Sequence, residues 1–329
     1  MATIKDVAKL ANVGVGTVSR YMSGGSVSEK RAAAIKQAML NLEYRPNSMA
    51  RSLSRQRSDL IGVYLPSLSG PFYHKILRAI ETQLREQGKH LILANAEGSL
   101  NDEQQLAHLE YLLERDCDAV LMACPSVSDN ALLATIDKHP NVVLINRELK
   151  GYADKCFSVD HYLGGKIAAQ NLVRLGHRSF AMVTGRLSAQ DAQRRQQGFI
   201  ETLIELGCSI DSDLVIEGSF NYEPGAKAIK SILKQRSRFS ALFCGNDKLA
   251  QVALSQLYDL DLGVPSDMAV VGYDDVDFCA YTAPALSTIH IPIEAMATAA
   301  CRKVLNSAYG LDMAFETQFQ PEFIQRSST

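Results

Sequence analysis

The sequence predicts a small all-α N-terminal domain followed by an α/β core made of two Rossmann-like subdomains. Three observations predict this fold class. The first 45 residues carry apolar side chains at helical spacing, and from Asp59 onward short apolar strands alternate with amphipathic helices. The alternation restarts near Phe180, which indicates two similar α/β halves with a cleft between them. A chain of 329 residues is long enough for these parts.

The N-terminal domain is predicted to contain three short helices. The first begins at a capping box formed by Thr3 and Asp6, and the second covers residues 15–21 after a tight turn, with Val18 facing the first helix. Ser28 is predicted to cap the third helix, which Pro46 ends because its ring disfavours helical geometry in the preceding residue. Two helices joined by a short turn that contains glycine, and braced by a third, form a helix-turn-helix.

The charge of the chain is unevenly distributed. Residues 1–58 carry ten Lys or Arg and three Asp or Glu, a net charge of +7, whereas the whole chain has a charge of −2 and the remainder therefore −9. A basic head on an acidic body indicates that the head binds a polyanion. A merely solvated basic tail would be poor in apolar residues, and this segment has a regular apolar pattern. Residues 47–58 are polar, basic and too short to hold a helix alone, so we interpret them as a linker that orders on DNA.

The core is predicted to contain parallel sheets with right-handed crossovers. Predicted strands cover residues 60–65, 91–94, 119–123, 142–145, 180–184, 241–244 and 269–273. Predicted helices between them include residues 71–87, 102–115, 161–175, 189–206, 224–235 and 248–261. Because open α/β sheets bind ligands beyond the carboxyl ends of their strands, the loops that follow the strands are the expected location of a site.

Several functional classes are disfavoured. The chain has no phosphate-binding glycine motif, no G-x-S-x-G and no H-E-x-x-H, so we predict no enzyme activity and no cofactor. Its seven cysteines are scattered singly without a C-x-x-C pair, which argues against a disulfide framework or a metal site. No apolar run approaches the roughly 20 residues of a membrane span, and the N-terminus lacks a signal-peptide core. We therefore expect a cytoplasmic protein without a membrane partner.

Two adjacent acids, Asp274 and Asp275, follow the predicted strand 269–273. A cooperating acid–base pair is disfavoured, because adjacent carboxylates on an extended loop point in different directions. Two interpretations of Asp274 remain open with equal weight: a carboxylate that accepts hydrogen bonds from ligand hydroxyls, and an Asp that caps a helix.

Motifs spread over the whole chain resemble the LacI/GalR family of bacterial transcription repressors. They are ATIKDVA at 2–8, TVSR at 17–20, YRPN at 44–47, GPFY at 70–73, LINR at 144–147, GH at 176–177, ND at 246–247 and VVGYDD at 270–275. Residues 1–8 and 146–151 are nearest to the galactose-responsive branch of the family. The resemblance implies a helix-turn-helix head, a hinge helix and a periplasmic-binding-protein-like core.

The domain limits that follow are 1–46 for the helix-turn-helix domain, 47–58 for the hinge and 59–329 for the core that binds the effector and dimerises. Within the core, the first subdomain is expected to cover about 59–159 plus 291–319. The second subdomain is expected to cover about 160–290 plus 320–329.

The resemblance also implies which residues contact DNA. Val15 and Gly16 match the two variable positions that help to choose the operator, and Arg20 matches an arginine that contacts bases, a role for which its guanidinium suits guanine O6 and N7. Leu53 matches a hinge leucine that wedges into the minor groove and kinks the duplex; its alternative role is a buried contact under the core. The implied DNA-contact residues are Thr3, Val15, Gly16, Thr17, Ser19, Arg20, Asn47, Ala50, Arg51 and Leu53.

Carried over position by position, the effector residues are Phe72, Arg147, Arg195, Phe220, Asn246 and Asp274. Arg195 and Asp274 are expected to make paired hydrogen bonds to sugar hydroxyls, and Asn246 supplies a donor and an acceptor. The two phenylalanines are expected to wall the sugar ring, with ordinary core packing as their alternative role. The alternative role for Arg195 is a solvated charge on its helix.

The function implied by the resemblance is that of a sequence-specific transcriptional repressor of a carbohydrate-utilisation operon. A small sugar inducer, a galactose-like monosaccharide, would release it from palindromic double-stranded operator DNA. A homodimer is expected, because a palindrome mirrors two-fold symmetry and no leucine heptads follow the core. Two alternatives stay open: a corepressor-type regulator of the same family, and a sugar-binding protein without a DNA function.

Overall fold

The computed structural model describes residues 2–22, 25–44, 57–97 and 101–329. The chain forms two compact units, Met1–Asp59 and Leu60–Thr329. Four residues of the predicted hinge, Asn47, Ala50, Arg51 and Leu53, lie outside the described residues.

The N-terminal unit contains the three predicted helices, α1 (Ile4–Leu10), α2 (Val15–Met22) and α3 (Glu29–Asn41). The capping box is confirmed: the Asp6 carboxylate accepts from the Thr3 backbone N–H at 2.8 Å, and the Thr3 hydroxyl accepts from the Asp6 backbone N–H at 3.4 Å. Val18 is fully buried as predicted. The small core of this unit consists of Val7, Ala8, Val18, Ile35 and Ala38.

The ends of α3 differ from the prediction. Ser28 occupies the N-cap position, but its side chain makes no capping hydrogen bond. The helix ends at Asn41, so the prediction that Pro46 ends it is wrong. Instead, Glu43 adopts φ 47°, and the Tyr44 N–H donates to the Met39 carbonyl at 2.9 Å. This is a Schellman-type end, in which the helix stops by its own backbone hydrogen bonds.

The first subdomain of the core is built on a five-stranded parallel sheet with strand order β2-β1-β3-β4-β5. Its strands are β1 (Leu60–Leu65), β2 (His90–Asn95), β3 (Ala119–Met122), β4 (Val142–Ile145) and β5 (Cys156–Phe157). The helices between them are α4 (Pro71–Glu86), α5 (Asp102–Glu114) and α6 (Asp129–Lys138). Strands β1, β3 and β4 are almost entirely buried, which explains why they are continuous apolar runs.

The second subdomain is built on a six-stranded sheet with strand order β11-β10-β9-β8-β6-β7, parallel except for β11. Its strands are β6 (Phe180–Thr184), β7 (Val215–Glu217), β8 (Ala241–Cys244), β9 (Ala269–Asp274), β10 (Ser287–His290) and β11 (Glu322–Ile324). Its helices are α7 (His161–Arg174), α8 (Gln190–Glu205), α9 (Tyr222–Leu233) and α10 (Asp247–Asp259). The sheet begins at Phe180, where the sequence pattern restarts.

The chain crosses between the two subdomains three times. After β10, helix α11 (Ile293–Tyr309) packs against α4 and strands β3, β4 and β5 of the first sheet. The chain then returns to the second sheet as β11, and the Ser328 hydroxyl donates to the Val270 carbonyl at 2.6 Å. The C-terminal residues are therefore part of the second subdomain.

Candidate ligand cavity and nucleic-acid interface

Helix α2 presents an exposed polar surface. Val15, Gly16, Ser19 and Arg20 are exposed, whereas Thr17 is partly buried. A side chain at Gly16 would meet no atom within 4 Å, so this position offers open space to a partner. Thr3 is exposed at the N-cap of α1. The six described residues of the predicted DNA-contact set therefore lie at the surface, except for the partly buried Thr17.

A cavity lies where the strands of the two core sheets end. The second sheet supplies Asn246 just after β8 and Asp274 at the end of the adjacent strand β9, and α8 follows β6 with Asp191 and Arg195 in its first turns. Adjacent parallel strands bring their carboxyl ends to one edge, which is why these residues meet. The complete lining is Ser67, Ser69, Gly70, Pro71, Phe72, Tyr73, Asp191, Arg195, Phe220, Asn221, Asn246, Asp247, Lys248, Asp274 and Val276.

The Arg195 guanidinium is a deeply buried charge of the cavity, with 2% of the residue exposed. It donates to the Asp191 carboxylate at 2.8 Å, to the Gly245 carbonyl at 2.7 Å and to His161 Nδ1 at 3.4 Å. Its central carbon also lies 4.0 Å from the ring centroid of Tyr273. Arg195 is therefore fixed before a ligand arrives, and the alternative of a solvated helix charge is excluded.

His161 supports Arg195 as a neutral imidazole. Burial first, and the nearby Arg195 charge second, lower the pKa of His161 well below its ordinary value. Its Nε2 lies 2.8 Å from Asn146 Oδ1, and its Nδ1 lies 2.9 Å from the Tyr273 hydroxyl. Because Nδ1 accepts from Arg195, Nε2 carries the proton and donates to Asn146.

Among the described residues that line the cavity, Asp274 has a carboxyl group with no hydrogen-bond partner in the protein. The residue is 7% exposed, its Oδ1 is buried without a hydrogen bond, and its φ of 115° lies in a region that side chains rarely adopt. Burial raises the pKa of Asp274 well above its ordinary value. Asp275 points elsewhere and accepts from Arg326 at 2.7 Å and from His290 at 3.1 Å. The prediction that the two adjacent carboxylates diverge is confirmed, and Asp274 caps no helix.

Asp247 and Asn246 hold the loop after β8. The Asp247 carboxylate accepts from the Thr288 hydroxyl at 2.6 Å and from the Val276 N–H at 2.9 Å, and burial raises its pKa to about 6. Asn246 caps α10, because its Oδ1 accepts from the Leu249 N–H at 3.0 Å. This oxygen is thus engaged, and the amide N–H groups are what Asn246 offers to a ligand, in place of the donor and acceptor we expected.

Five of the six predicted effector residues line the cavity: Phe72, Arg195, Phe220, Asn246 and Asp274. The prediction for Arg147 is wrong. Although its motif follows β4, the buried guanidinium turns toward α6 and donates to the Val127 carbonyl at 3.0 Å and to the Asp129 carboxylate at 2.5 Å. A carbonyl and a carboxylate within reach hold one end of the guanidinium there, while its buried Nε has no hydrogen-bond partner.

Sequence reasoning missed several residues of the site, chiefly Asp191, His161 and Lys248. The spacing of Asp191 and Arg195, four residues apart on one helix, was a usable signal for their ion pair. His161 lies at the start of α7, and its meeting with Tyr273 across 112 residues leaves no local pattern. Among the described residues, no group of three His, Cys, Asp or Glu could hold a metal ion. None of the described helices is long and apolar enough to cross a membrane.

Comparisons with known proteins cover the whole chain. The family described as bacterial regulatory proteins, lacI family, matches residues 3–47, and a periplasmic binding protein-like domain matches residues 169–329. The chain is 33% identical to the transcriptional regulator GalR of Escherichia coli K12, over 100% of this chain and 96% of that protein. It is 32% identical to the transcriptional repressor PurR of Serratia proteamaculans, over 100% and 97% of the two chains. The Lac repressor bound to ONPG in its repressed state is 25% identical, with a TM-score of 0.87 over 100% and 99% of the chains.

A helix-turn-helix unit joined to a two-subdomain core with a ligand cavity defines a DNA-binding transcriptional repressor and not an enzyme. The chain belongs to the LacI family of bacterial regulatory proteins. Repressors of this family bind operator DNA and effector ligands and act as dimers. The family resemblance and the fold class predicted from the sequence are both confirmed.

Proposed function

We propose that this repressor controls a carbohydrate-utilisation operon and is released from its operator by a small sugar. The observation that carries the proposal is the unpartnered Asp274 carboxyl oxygen at a cavity that also holds a fixed Arg195. A buried acceptor without a partner costs about 1–3 kcal/mol, and a ligand hydroxyl removes that cost. The relationship to GalR supports a sugar as the effector.

The cavity lining suits a sugar ring in three respects. Arg195 and Asp274 are placed to bind neighbouring hydroxyls, and the Asn246 amide adds a donor. Phe72 and Phe220 are partly buried and line the cavity, so their rings provide the apolar walls that sugar sites need. A monosaccharide is the ligand class that these groups fit.

On the DNA side, we assign α2 to the major groove. Arg20 reads a guanine edge, Val15 and Gly16 contact the variable base pairs, and the basic linker 47–58 lies over the centre of the site. Two copies of the chain bind the two halves of a palindrome. We place this activity in the cytoplasm, where operator DNA is found.

A purine corepressor is the second candidate, because PurR relatives are nearly as similar to the chain as GalR. The two candidates predict opposite signs of coupling. An inducer weakens operator binding by the full-length protein, whereas a corepressor strengthens it.

The deciding experiment is a thermal-shift screen of the full-length protein against monosaccharides and purine bases. A ligand present at a hundredfold its Kd adds about 2.7 kcal/mol to the stability of the folded protein, which gives a clear upward shift of Tm. Operator affinity is then measured with and without each hit. Stabilisation by a sugar together with weaker operator binding supports the proposal. Stabilisation by purines alone contradicts it.

The assignment of DNA binding to the N-terminal unit is tested with a fragment that covers residues 60–329. We expect this fragment to bind the effector as the full chain does and to show no specific operator binding. For the full chain, log Kobs should fall with log salt by about 0.9 for each neutralised phosphate. Specific operator binding by the fragment would overturn the assignment.

A further inference from the structure

The ammonium group of Lys248 lies at the cavity without a direct ion pair: burial lowers its pKa, and the nearby charges of Asp274 and Glu97 oppose that lowering. Lys248 follows Asp247 in the first turn of α10 and is half-buried. Its Nζ lies 5.4 Å from the ring centroid of Tyr222, and a Cβ atom added to Gly70 would lie 2.9 Å from Nζ. Within the described ranges, no carboxylate forms an ion pair or a hydrogen bond with this ammonium group.

The position of Lys248 next to Gly70 places the charge at the N-terminus of α4. Gly70 is the N-cap of this 16-residue helix, no side chain caps it, and its first turn contains no acidic residue. The first N–H groups of a helix have no partner inside it and carry a partial positive charge. A lysine ammonium beside this positive end is unfavourable unless an anion lies between the two.

The remaining charged groups of the cavity have protein partners, apart from one. Asp191 and Arg195 pair with each other, and Asp247 is held by Thr288 and Val276. Asp274, which is more than nine-tenths buried, keeps a carboxyl oxygen without a partner. One ammonium group and one carboxyl oxygen therefore lack a direct protein partner, although their charges attract each other across the cavity.

The charge state of Asp274 is compatible with an anion in the same cavity. Burial raises the pKa of Asp274, which favours its neutral form over the charged one and so weakens its opposition to a ligand anion. In its protonated form it can also donate to a ligand oxygen.

We propose that the effector is an acidic sugar, whose anionic group binds Lys248 and the N-terminus of α4 while its ring hydroxyls bind Asp274 and Arg195. This inference rests on the proposed carbohydrate function and narrows it. A carboxylate and a phosphate ester share the required chemistry: an anion at one end of a hydroxyl-bearing ring. The hydroxyls of Ser67 and Ser69 form a 2.9 Å hydrogen bond with each other on the cavity wall, which leaves one hydroxyl proton to donate to another oxygen of either group.

The test is isothermal titration calorimetry of the full-length protein with matched ligands. For the galacto, gluco and manno series, the neutral hexose, the hexuronate and the hexose 6-phosphate are compared, with inorganic phosphate as a probe for the anion alone. Because a hydrogen bond to a charged group contributes about 1.5–3 kcal/mol, the acidic member should bind about tenfold more tightly or better than the neutral sugar of its series. Preference for the uronate identifies a sugar acid, and preference for the phosphate ester identifies a phosphorylated sugar.

The matched variants are Lys248→Gln and Lys230→Gln. Both remove one positive charge from the second subdomain, but Lys230 is exposed on α9 and does not line the cavity. Lys248→Gln should abolish the preference for the acidic sugar while keeping the binding of the neutral one, and Lys230→Gln should behave as the wild type. Circular dichroism checks that both variants fold.

Two results would overturn the inference: neutral sugars that bind as tightly as their acidic counterparts, or an acid preference that survives Lys248→Gln. In both cases the proposed sugar function still stands, because a sugar binds. If purines bind and no carbohydrate does, the proposed function itself is contradicted, and the inference with it.

Discussion

Asp274 is the residue at which two unfavourable features of the protein coincide. Its backbone has a φ of 115°, and its buried Oδ1 has no hydrogen-bond partner. Strained backbone and unsatisfied polar atoms persist where the surrounding fold fixes them, and they cluster at ligand sites. The neighbouring Asp275 also has a positive φ, of 57°, but both of its carboxylate oxygens accept hydrogen bonds, so the unsatisfied oxygen is particular to Asp274.

The raised pKa of Asp274 predicts an unusual dependence of stability on pH. The folded protein keeps this proton to higher pH than the unfolded chain, in which Asp has a pKa of about 3.9. Asp274 therefore contributes stability below about pH 4, and this contribution is lost as pH rises through the raised native pKa, by at most about 1.4 kcal/mol per pH unit. Asp274→Asn should gain stability relative to the wild type as pH rises from 4 to 7. Urea denaturation across this range measures the difference.

Asp275→Asn is the matched control with the opposite sign. Burial alone would raise the pKa of Asp275, but hydrogen bonds from His290 and Arg326 lower it below its ordinary value. Its stabilising contribution is present at neutral pH and lost as pH falls through the native pKa. Asp275→Asn should therefore be less stable than the wild type at pH 7, with a difference that shrinks on acidification. Parallel pH profiles for the two variants would contradict the assignment.

His161 is predicted to position Arg195 for the effector. His161→Ala removes one of the three acceptors of Arg195 and a partner of Asn146, and each buried polar group left unsatisfied costs about 1–3 kcal/mol. We expect a lower Tm of the core and an effector affinity reduced by about tenfold, with operator affinity in the absence of effector unchanged. His177→Ala is the control, because it removes a 2.9 Å bond to Ser240 away from the cavity. If both variants lose stability and neither loses effector affinity, His161 does not position Arg195.

The residues of the site were predictable where a motif directly follows a strand. Asn246 and Asp274 follow β8 and β9, so their strand ends fixed their position and the resemblance supplied their role. Arg147 also follows a strand, but rotation of one side chain toward Val127 and Asp129 removes it from the cavity, and nothing in the sequence predicts that rotation. Lys248 was missed because a lysine beside a helix N-terminus is recognisable only when α4 and α10 are seen together.

At the scale of elements, the close crossing of α7 and α8 positions the first turns of α8. A Cβ atom on Gly165 would lie 2.1 Å from the Arg195 carbonyl oxygen, and one on Gly198 would lie 2.0 Å from the Tyr162 carbonyl oxygen. The two helices thus touch through their backbones. Glycine is required at both positions because any side chain would force the helices apart.

Gly165→Ala should therefore affect both stability and ligand binding. Overpacking of this kind costs about 1–3 kcal/mol, and the displaced atom belongs to Arg195 itself, so the effector affinity should fall together with the unfolding free energy. Gln170→Ala, an exposed position on the same helix, should change neither quantity. Calorimetry well below Tm separates the two effects. Lower stability with unchanged affinity would show that the crossing does not position Arg195.

Elements of the fold were predictable in proportion to their length and burial. The seven predicted strands are all present and agree with the observed limits to within one residue at each end. The missed strands β5, β7 and β11 have two or three residues each, too few to show a pattern, and their pairing depends on neighbours distant in sequence. The missed strand β10 is as long as β3, β4 and β8, but it contains one apolar residue in four and so lacks their continuous apolar run. The end of α3 was misplaced because Pro46 is a visible stop signal, whereas a Schellman end at Glu43 is closed by backbone atoms alone.

At the scale of the whole molecule, the two subdomains of the core are joined at the rim of the cavity as well as by the three crossings. Lys75 of α4 forms a 2.9 Å ion pair with Asp277, which lies just beyond β9. Gln190 at the start of α8 exchanges hydrogen bonds of 3.0 and 3.2 Å with the backbone of Glu148. A ligand that contacts residues from both subdomains connects them as these contacts do. Its binding therefore favours one arrangement of the two subdomains over another.

The last prediction concerns the coupling of the cavity to DNA binding in the dimer. A coupling of about 1–3 kcal/mol is typical when an effector has different affinities for two arrangements of a protein. Asp274→Ala should bind operator normally and ignore the effector, giving permanent repression, because it removes the ligand acceptor and leaves α2 intact. Leu53→Ala, in the predicted hinge outside the described residues, should bind the effector normally and hold the operator poorly, because the predicted apolar wedge is lost.

Operator affinity is measured with and without effector in both variants. If Asp274→Ala still releases DNA at ordinary effector concentrations, the effector binds elsewhere. If Leu53→Ala holds the operator as the wild type does, the hinge is not the element through which the cavity acts on DNA.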